Sequence, residues 1–279
     1  MGNLNTVYII SKGRPKCDTA RTLARMEYPG EWFIVCGNND ETLSEYESRW
    51  GEHVLVFDWY DEITRTDTLD NFGFESMASG AVPVRNATCD ISRERGETRH
   101  WQLDDDYYGF YHVNKGEMRK HRMDGQELYD VFTEISEFAH SCGLSNAGIA
   151  LGTVESMPHK RKTFGRRVFN AHCLPSDKDL LTRWRGRMND DLINAIETYR
   201  NGGFEMLFKY ANLTMAKTQA EEGGLTDLYK AEGTVRKTAY PMLLAPNAVK
   251  LVTKFGRYHH KVDWDKLCPK MVNSKWQRE

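Results

Sequence analysis

Short apolar runs alternate with amphipathic stretches in the first part of the chain. Three runs of strand length, rich in β-branched and aromatic residues, lie at residues 6–10, 32–36 and 54–57. Helical patterns over residues 18–26 and 41–50 separate them. All-apolar strands that alternate with helices are typical of a parallel sheet with crossover connections. The pattern therefore predicts an α/β fold.

A polar stretch follows, residues 58–80, which we predict to be an irregular loop. Residues 83–93 are expected to form a helix, and residues 100–103 a fourth strand. The apolar spacing then predicts two further helices and three further strands. The helices are expected after a capping box at Asp124 and Glu127, ending at Gly143, and over residues 190–199; the strands are expected at residues 147–151, 168–173 and 204–210.

No linker or internal repeat divides the chain, so we expect one domain over residues 1–279, with a C-terminal segment that wraps around it. The length suffices for one large α/β domain. A formal net charge of −2 means that a nucleic acid could be held only by a local basic patch. The six cysteines have no metal or redox spacing and no apolar run approaches membrane-spanning length, so we expect a cytoplasmic protein.

Three consecutive carboxylates, Asp104, Asp105 and Asp106, end the fourth predicted strand. Side-chain alternation would place Asp104 and Asp106 on one side and Asp105 on the other. Ligands of open α/β sheets bind outside the carboxyl ends of strands, and carboxylates suit Mg²⁺ or Mn²⁺ that also bind substrate phosphates. A solvated acidic turn is the alternative.

Two segments before this strand carry residues that could contact a phosphate group. Ser11, Gly13 and Arg14 follow the first strand, where a glycine permits close backbone approach and a guanidinium can bind phosphate. Arg85 lies in the predicted helix before the acids and could reach a pyrophosphate. An ordinary basic turn and a solvated helix face are the alternatives. Neither a P-loop pattern nor a dinucleotide-binding glycine pattern is present.

Later residues add candidate chemistry. Asp190 and Asp191 precede a helix, where they could act as general base or positioning group, or only complement the helix dipole. His259 and His260 point oppositely if extended, so at most one could complete the coordination of an Asp-x-Asp metal. The cations Lys160, Arg161, Lys162, Arg166 and Arg167 suit a polyanion such as DNA, or form a solvated loop face.

Taken in chain order, these motifs resemble the GT-A family of nucleotide-sugar glycosyltransferases, and more narrowly the phage glycosyltransferases found beside TET/JBP-type oxygenases. The resemblance covers roughly residues 7–264 and is carried by Ser11-Lys12-Gly13-Arg14-Pro15, Arg85-Asn86, Leu103-Asp104-Asp105-Asp106, Asn189-Asp190-Asp191, Glu222-Gly223-Gly224 and the segment around His259-His260. It implies a GT-A type, Rossmann-like, mostly parallel central sheet flanked by helices. Residues 1–110 would form the nucleotide-sugar half, and residues 111–279 the acceptor half with a C-terminal metal ligand.

The resemblance also implies roles for single residues. Asp104 and Asp106 would hold Mn²⁺ or Mg²⁺ together with one of His259 and His260. Asp105 would contact the sugar or ribose of a nucleotide-diphosphate sugar, foremost a UDP-sugar. The remaining donor-binding residues would be Ser11, Gly13, Arg14 and Arg85, and the base would be Asp190 or Asp191.

The implied acceptor is a hydroxymethyl-pyrimidine in double-stranded phage DNA, modified in the cytoplasm of the host cell. Two alternatives remain open on the sequence. The chain could be a GT-A glycosyltransferase that acts on a glycan or small molecule, or a non-catalytic nucleic-acid-binding protein whose acids merely form a turn.

Overall fold

Four parallel strands form one half of the central sheet. In the computed structural model they are β1 (Thr6–Ile10), β2 (Trp32–Gly37), β3 (Val54–Phe57) and β4 (Arg99–Asp104), arranged in the order β3-β2-β1-β4. The structure describes residues 3–69, 81–113, 120–152, 162–164, 167–215, 235, 237–254 and 256–267. The helices of this half are α1 (Asp18–Arg25), α2 (Leu43–Trp50), α3 (Trp59–Arg65) and α4 (Val82–Glu94). The parallel order confirms the interpretation of the first three apolar runs.

Helix α3 corrects one expectation, because residues 58–80 were predicted to form an irregular loop. Asp58 begins the helix, and its carboxylate accepts hydrogen bonds from the backbone N–H groups of Tyr60 and Asp61. Trp59 and Ile63 are buried in an apolar cluster with Tyr8 of β1 and Val35 of β2. A helix of seven residues with only two buried apolar side chains shows too little apolar periodicity in the sequence to be predicted. Residues 70–80 lie outside the described residues.

The second half of the sheet is mixed. Its strands continue the order from β4 as β9-β7-β10-β5-β6, with β8 paired to β10. Strand β9 is antiparallel to both β4 and β7, whereas β7 and β10 are parallel. The strands are β5 (Tyr107–Val113), β6 (Lys120–Arg122), β7 (Asn146–Leu151), β8 (Lys162–Phe164), β9 (His172–Pro175) and β10 (Glu205–Met215). The predicted α/β class, a central sheet flanked by helices, is confirmed.

The helices of this half are α5 (Gly125–Ser141) and α6 (Asp190–Arg200), as the apolar spacing predicted. The capping box at Asp124 and Glu127 is present in full. Helix α5 packs on the sheet, where Phe132 stacks on Trp101 with ring centroids 4.0 Å apart. Strands β5, β6 and β8 were not predicted, and the strand expected over residues 168–173 instead begins at His172.

The C-terminal part packs against α6. It comprises helical residues 237–244 (α7), the antiparallel hairpin of β11 (Val249–Lys254) and β12 (Arg257–Val262), and α8 (Trp264–Leu267). Val249 and Ala245 are buried with Leu192 and Tyr199 of α6 in one apolar cluster. No helix among the described residues is long and apolar enough to cross a membrane.

Candidate active site

The acid triplet lies at the carboxyl end of β4 and in the turn that leads directly into β5. Its backbone is fixed by Thr19 of α1, whose hydroxyl donates to the Asp104 carbonyl (2.6 Å) and accepts from the Tyr107 N–H (2.8 Å). The Thr19 N–H in turn donates to the Asp105 carbonyl at 3.1 Å. Because β1 and β4 are parallel neighbours with Ile10 opposite Asp104, the loop after β1 reaches the same acids.

Asp105 is bound by that loop. The Ser11 hydroxyl donates to its Oδ2 at 2.6 Å, and Arg14 Nη1 donates to its Oδ1 at 2.9 Å. Burial raises the pKa of Asp105, while the Arg14 charge opposes that rise. Since Ser11 has only one hydroxyl proton, the 2.6 Å contact between Ser11 and Tyr46 requires Tyr46 to donate. The Tyr46 oxygen also accepts the Arg14 N–H, so this tyrosine positions both loop residues.

Gly13 shapes the same loop. Its φ of +68° is in the left-handed region that favours glycine, and no atom lies within 4 Å of the place of a Cβ. Its N–H donates to Asp40 Oδ2 at 2.8 Å. The loop therefore presents an open backbone surface beside Arg14, as binding of a phosphate-bearing ligand would require.

Asp104 contacts a different set of residues. Arg85 of α4 donates from Nη2 to Asp104 Oδ1 (2.9 Å) and from Nε to Asp190 Oδ2 (2.8 Å). The guanidinium lies 4.8 Å from the centre of the Trp184 ring, and its Nη1 is buried with no hydrogen-bond partner in the described part of the chain. Burial raises the pKa of Asp104 to about 6, although Arg85 opposes the rise. Tyr107 donates to the second oxygen of Asp104 at 3.1 Å.

Asp106 has no comparable support. Its Oδ1 is buried without a hydrogen-bond partner among the described residues. Burial, followed by the charges of Asp104 and Asp105, raises the pKa of Asp106 to about 7. A carboxylate that lies beside two other acids and has one buried oxygen without a donor is stabilised by a bound cation. The environment of Asp106 therefore fits a divalent metal.

His260 lies in β12, near Arg167 and Lys237. Burial, Arg167 and Lys237 lower the pKa of His260 to about 4, which keeps the imidazole neutral, the form that binds metals. Its Nδ1 is buried without a hydrogen-bond partner in the described chain. However, no group of three or more His, Cys, Asp or Glu residues within the described ranges is close enough to hold a metal ion. The set of Asp104, Asp106 and His259 or His260 stays a prediction.

Asp191 is the second residue of α6, directly after Asp190. Its Oδ1 accepts the Leu192 N–H at 2.8 Å, and its Oδ2 lies 3.1 Å from Arg167 Nη1. Burial raises the pKa of Asp191, and Arg167 opposes this. Asp190 and Asp191 thus belong to one ionic network with Arg85 and Arg167. The role of Asp190 or Asp191 as general base stays a prediction.

The structure describes only part of the predicted nucleic-acid set. Arg167 pairs with Asp191 and packs over the Phe169 ring at 4.3 Å, so its charge belongs to the site. Lys160, Arg161 and Arg166 lie outside the described residues, as does the side chain of Lys162 in β8. The nucleic-acid role of these five residues stays a prediction.

Several residues of the site were not identified from the sequence. Tyr46, Thr19, Tyr107 and Trp184 stand in ordinary helix, strand and loop patterns, and nothing in their local spacing distinguishes them from core residues. They contact the candidate site residues only because β1, β4 and α4 meet at one edge of the sheet.

The assembled site defines an α/β protein with a group of buried acidic and basic side chains at its strand ends. The chain belongs to the TET-associated glycosyltransferase family, whose model matches residues 5–224. This confirms the resemblance found in the motifs. No curated protein matches the chain significantly. Among solved structures, it is similar to one described as GalNAc-T7 with UDP, GalNAc and Mn²⁺, with a TM-score of 0.46, 10% identity, and coverage of 88% of this chain and 48% of that chain. The chain thus spans about half the length of that structure.

Proposed function

We propose that this chain is a metal-dependent GT-A glycosyltransferase that moves a sugar from a nucleotide-diphosphate sugar to a hydroxymethyl-pyrimidine in phage DNA. The observation that carries the metal and donor part is the buried, unpartnered Oδ1 of Asp106, beside Asp104 and the loop of Ser11, Gly13 and Arg14. Family membership supports the sugar transfer. The proposal of a DNA acceptor rests on the family's association with TET, which its name states. It rests also on the cations that the sequence predicts to bind nucleic acid, Lys160, Arg161, Lys162, Arg166 and Arg167.

The metal would be Mn²⁺ or Mg²⁺, held by Asp104, Asp106 and one of His259 and His260. When bound, it supplies positive charge that stabilises the diphosphate leaving group. The unpartnered Asp106 Oδ1 and His260 Nδ1 are the two atoms that favour this set, since each lacks any other partner in the described chain.

The donor would be a nucleotide-diphosphate sugar such as a UDP-sugar. Arg14 is a quarter exposed while it holds Asp105, so its guanidinium can contact a phosphate without leaving that carboxylate. The open Gly13 backbone permits close approach of the nucleotide. Arg85 Nη1 is a buried donor without a partner, and a diphosphate oxygen would satisfy it. Asp105 would contact the sugar or ribose.

The acceptor hydroxyl must lose a proton during transfer. Asp190 and Asp191 are the candidates for receiving it, and the ionic contacts with Arg85 and Arg167 hold both carboxylates in place. If the enzyme inverts the anomeric centre, one of them acts as base; if it retains it, the pair positions the acceptor.

The test combines purified protein, Mn²⁺, a panel of nucleotide sugars and duplex DNA that contains 5-hydroxymethylcytosine. Mass spectrometry of the DNA should show the added mass of one sugar from the panel, and the addition should require metal. The double variant Asp104→Asn, Asp106→Asn should lose at least about 100-fold in transfer, together with donor binding measured by calorimetry. The exposed pair Asp61→Asn, Asp179→Asn serves as control and should retain both.

The alternatives give different results in the same assay. Transfer to free glycans or small molecules but not to DNA would support a GT-A enzyme with a different acceptor. DNA binding that is unchanged in the Asp104 and Asp106 variant, with no donor binding by the wild type, would support a non-catalytic DNA-binding protein. Absence of both donor binding and transfer would overturn the proposal.

A further inference from the structure

A row of three polar side chains crosses the second half of the central sheet. Glu205 of β10 lies opposite Asn146 of β7 in the strand register. The β7–β9 register, with Ala147 opposite Cys173, puts Asn146 on the same face of the sheet as His172 of β9, because side chains alternate along each strand. All three members of the row are buried, and Asn146 Nδ2 lies 3.0 Å from His172 Nδ1 and 3.4 Å from Glu205 Oε1. Apolar side chains would be buried there at lower cost, so the row points to a role beyond packing.

One end of the row reaches the residue that holds Asp191. Glu205 Oε2 accepts the Val168 N–H at 2.8 Å. That N–H belongs to the peptide bond that directly follows Arg167, and Arg167 Nη1 lies 3.1 Å from Asp191 Oδ2. The Arg167 guanidinium also packs over the Phe169 ring, 4.3 Å from its centre. The hydrogen bond to Glu205 therefore fixes the backbone from which Arg167 reaches the candidate base.

Glu205 occupies this position without a cation of its own. It forms no ion pair within the part of the chain that the structure describes. Burial raises the pKa of Glu205 to about 8, although the contacts with Val168 and Asn146 oppose the rise; the charge of Asp191 adds to it and that of Arg167 opposes it. Glu205 is therefore a neutral acid at pH 7, and the charge of Arg167 is left for Asp191.

Other titratable groups face this end of the row. His172 on β9 is neutral, because burial lowers its pKa far below the ordinary value. The Arg167 guanidinium is charged at every pH of interest. Asp191 in α6 and Lys237 in α7 are the remaining groups, and burial raises the pKa of Asp191 and lowers that of Lys237. The effect of Glu205 is therefore isolated by a variant that removes its proton and leaves the other groups in place.

We propose that Glu205 is a positioning residue for the transfer reaction, which as a neutral acid leaves Arg167 on Asp191 and as a carboxylate draws Arg167 away. This rests on the proposed function, since Asp191 is a candidate base of that reaction. When Glu205 releases its proton to solvent, the new buried charge attracts the neighbouring guanidinium strongly, because the interior screens charge weakly. Asp191 then lies beside Asp190 with less positive charge around it. This favours the protonated form of Asp191, which cannot accept a proton from the acceptor.

The first experiment follows sugar transfer to hydroxymethylcytosine DNA from pH 6.5 to 9. Glu205→Gln keeps an oxygen that accepts the Val168 N–H and cannot ionise. The matched control is Glu97→Gln, a buried glutamate that contacts Tyr8 and Arg95 instead. Between pH 7 and 9 we expect the kcat of the wild type and of the control to fall relative to that of Glu205→Gln by up to about ten-fold, with a midpoint near 8. The KM for the donor should change by less than about two-fold, because Glu205 does not contact the donor loop.

The second experiment does not depend on transfer. Carbon-detected NMR of protein labelled in arginine reports the environment of the Arg167 guanidinium, and Arg167→Lys assigns its signals. We expect these signals to shift with a midpoint near pH 8 in the wild type and to stay constant in Glu205→Gln.

The outcomes separate this inference from the proposed function. If the wild type transfers sugar and Glu205→Gln has the same pH profile, or loses activity equally at every pH, the positioning role is wrong and the proposed function stands. If the Arg167 signals do not shift in the wild type, or shift equally in Glu205→Gln, the inference is overturned whether or not sugar is transferred. If the shift depends on Glu205 and the wild type transfers no sugar, the proposed function fails and the link between Glu205 and Arg167 stands.

Discussion

Asp104 and Asp190 accept hydrogen bonds from one guanidinium, that of Arg85, at 2.9 and 2.8 Å. One carboxylate ends β4 and the other begins α6, so this buried arginine joins the two halves of the chain at the candidate site. Burial disfavours the charge of Arg85, but Asp104 and Asp190 together raise its pKa above the ordinary value. The acid triplet and the candidate base are therefore parts of one ionic network.

Replacement of Arg85 by alanine should destabilise the protein strongly. The change leaves two partly buried carboxylates without their shared cation, and removal of one partner of a buried pair costs about 3–5 kcal/mol. Urea unfolding measures the loss, and exposed Arg49→Ala on α2 is the matched control. A difference of under about 1 kcal/mol between the two variants would show that the network contributes little to folding.

Ser11→Ala should weaken the loop after β1. The variant removes the hydroxyl that donates to Asp105 and accepts from Tyr46, and a buried acceptor left without its donor costs about 1–3 kcal/mol. We expect that loss in unfolding free energy and a lower affinity for UDP in calorimetry with Mn²⁺. Ser44→Ala on the exposed side of α2 is the control. Unchanged UDP affinity would remove Ser11 from the donor site.

Glu205 should make the stability depend on pH. Burial raises the pKa of Glu205 to about 8, so the folded state holds a proton that the unfolded state releases at about 4.5. The associated stability is present below the unfolded value and is lost as the pH rises towards 8.

Glu205→Gln has no such proton to lose, and the oxygen of its amide can still accept from the Val168 N–H. The variant should gain stability relative to the wild type between pH 5 and 8.5, by up to a few kcal/mol at about 1.4 kcal/mol per pKa unit. Thermal unfolding across that range measures it. A difference that is constant with pH would contradict the raised pKa.

Gly148→Ala should be destabilising because β7 and the segment before β9 approach closely. A Cβ at Gly148 would lie 2.2 Å from the Ala171 carbonyl oxygen, a backbone atom that cannot rotate away. We expect a loss of about 2–3 kcal/mol in unfolding free energy. Gly96→Ala, where no atom lies within 4 Å, is limited to the cost of its positive φ, about 1 kcal/mol. Equal losses would mean that β7 can move to accept the methyl group.

Much of the fold was predictable where the signal is local. The apolar runs that became β1, β2 and β3, the periodicity of α5 and α6 and the capping box of Asp124 each depend on residues a few positions apart. Strand β5 was missed because it follows β4 after only Asp105 and Asp106, and its polar and aromatic residues lack clear alternation. Helix α3 was missed because its stability comes from burial of Trp59 and Ile63.

The sequence by itself determined the candidate site residues: the acid triplet, the loop after β1, the acids at the start of α6 and the late histidine pair. Only the tertiary structure decided their partners. It joins Asp105 to Ser11 and Arg14, Asp104 to Arg85 and Asp190, and Asp191 to Arg167. The reason is physical, because these contacts are between residues far apart in the chain and depend on strand order, and no local pattern records which strands become neighbours.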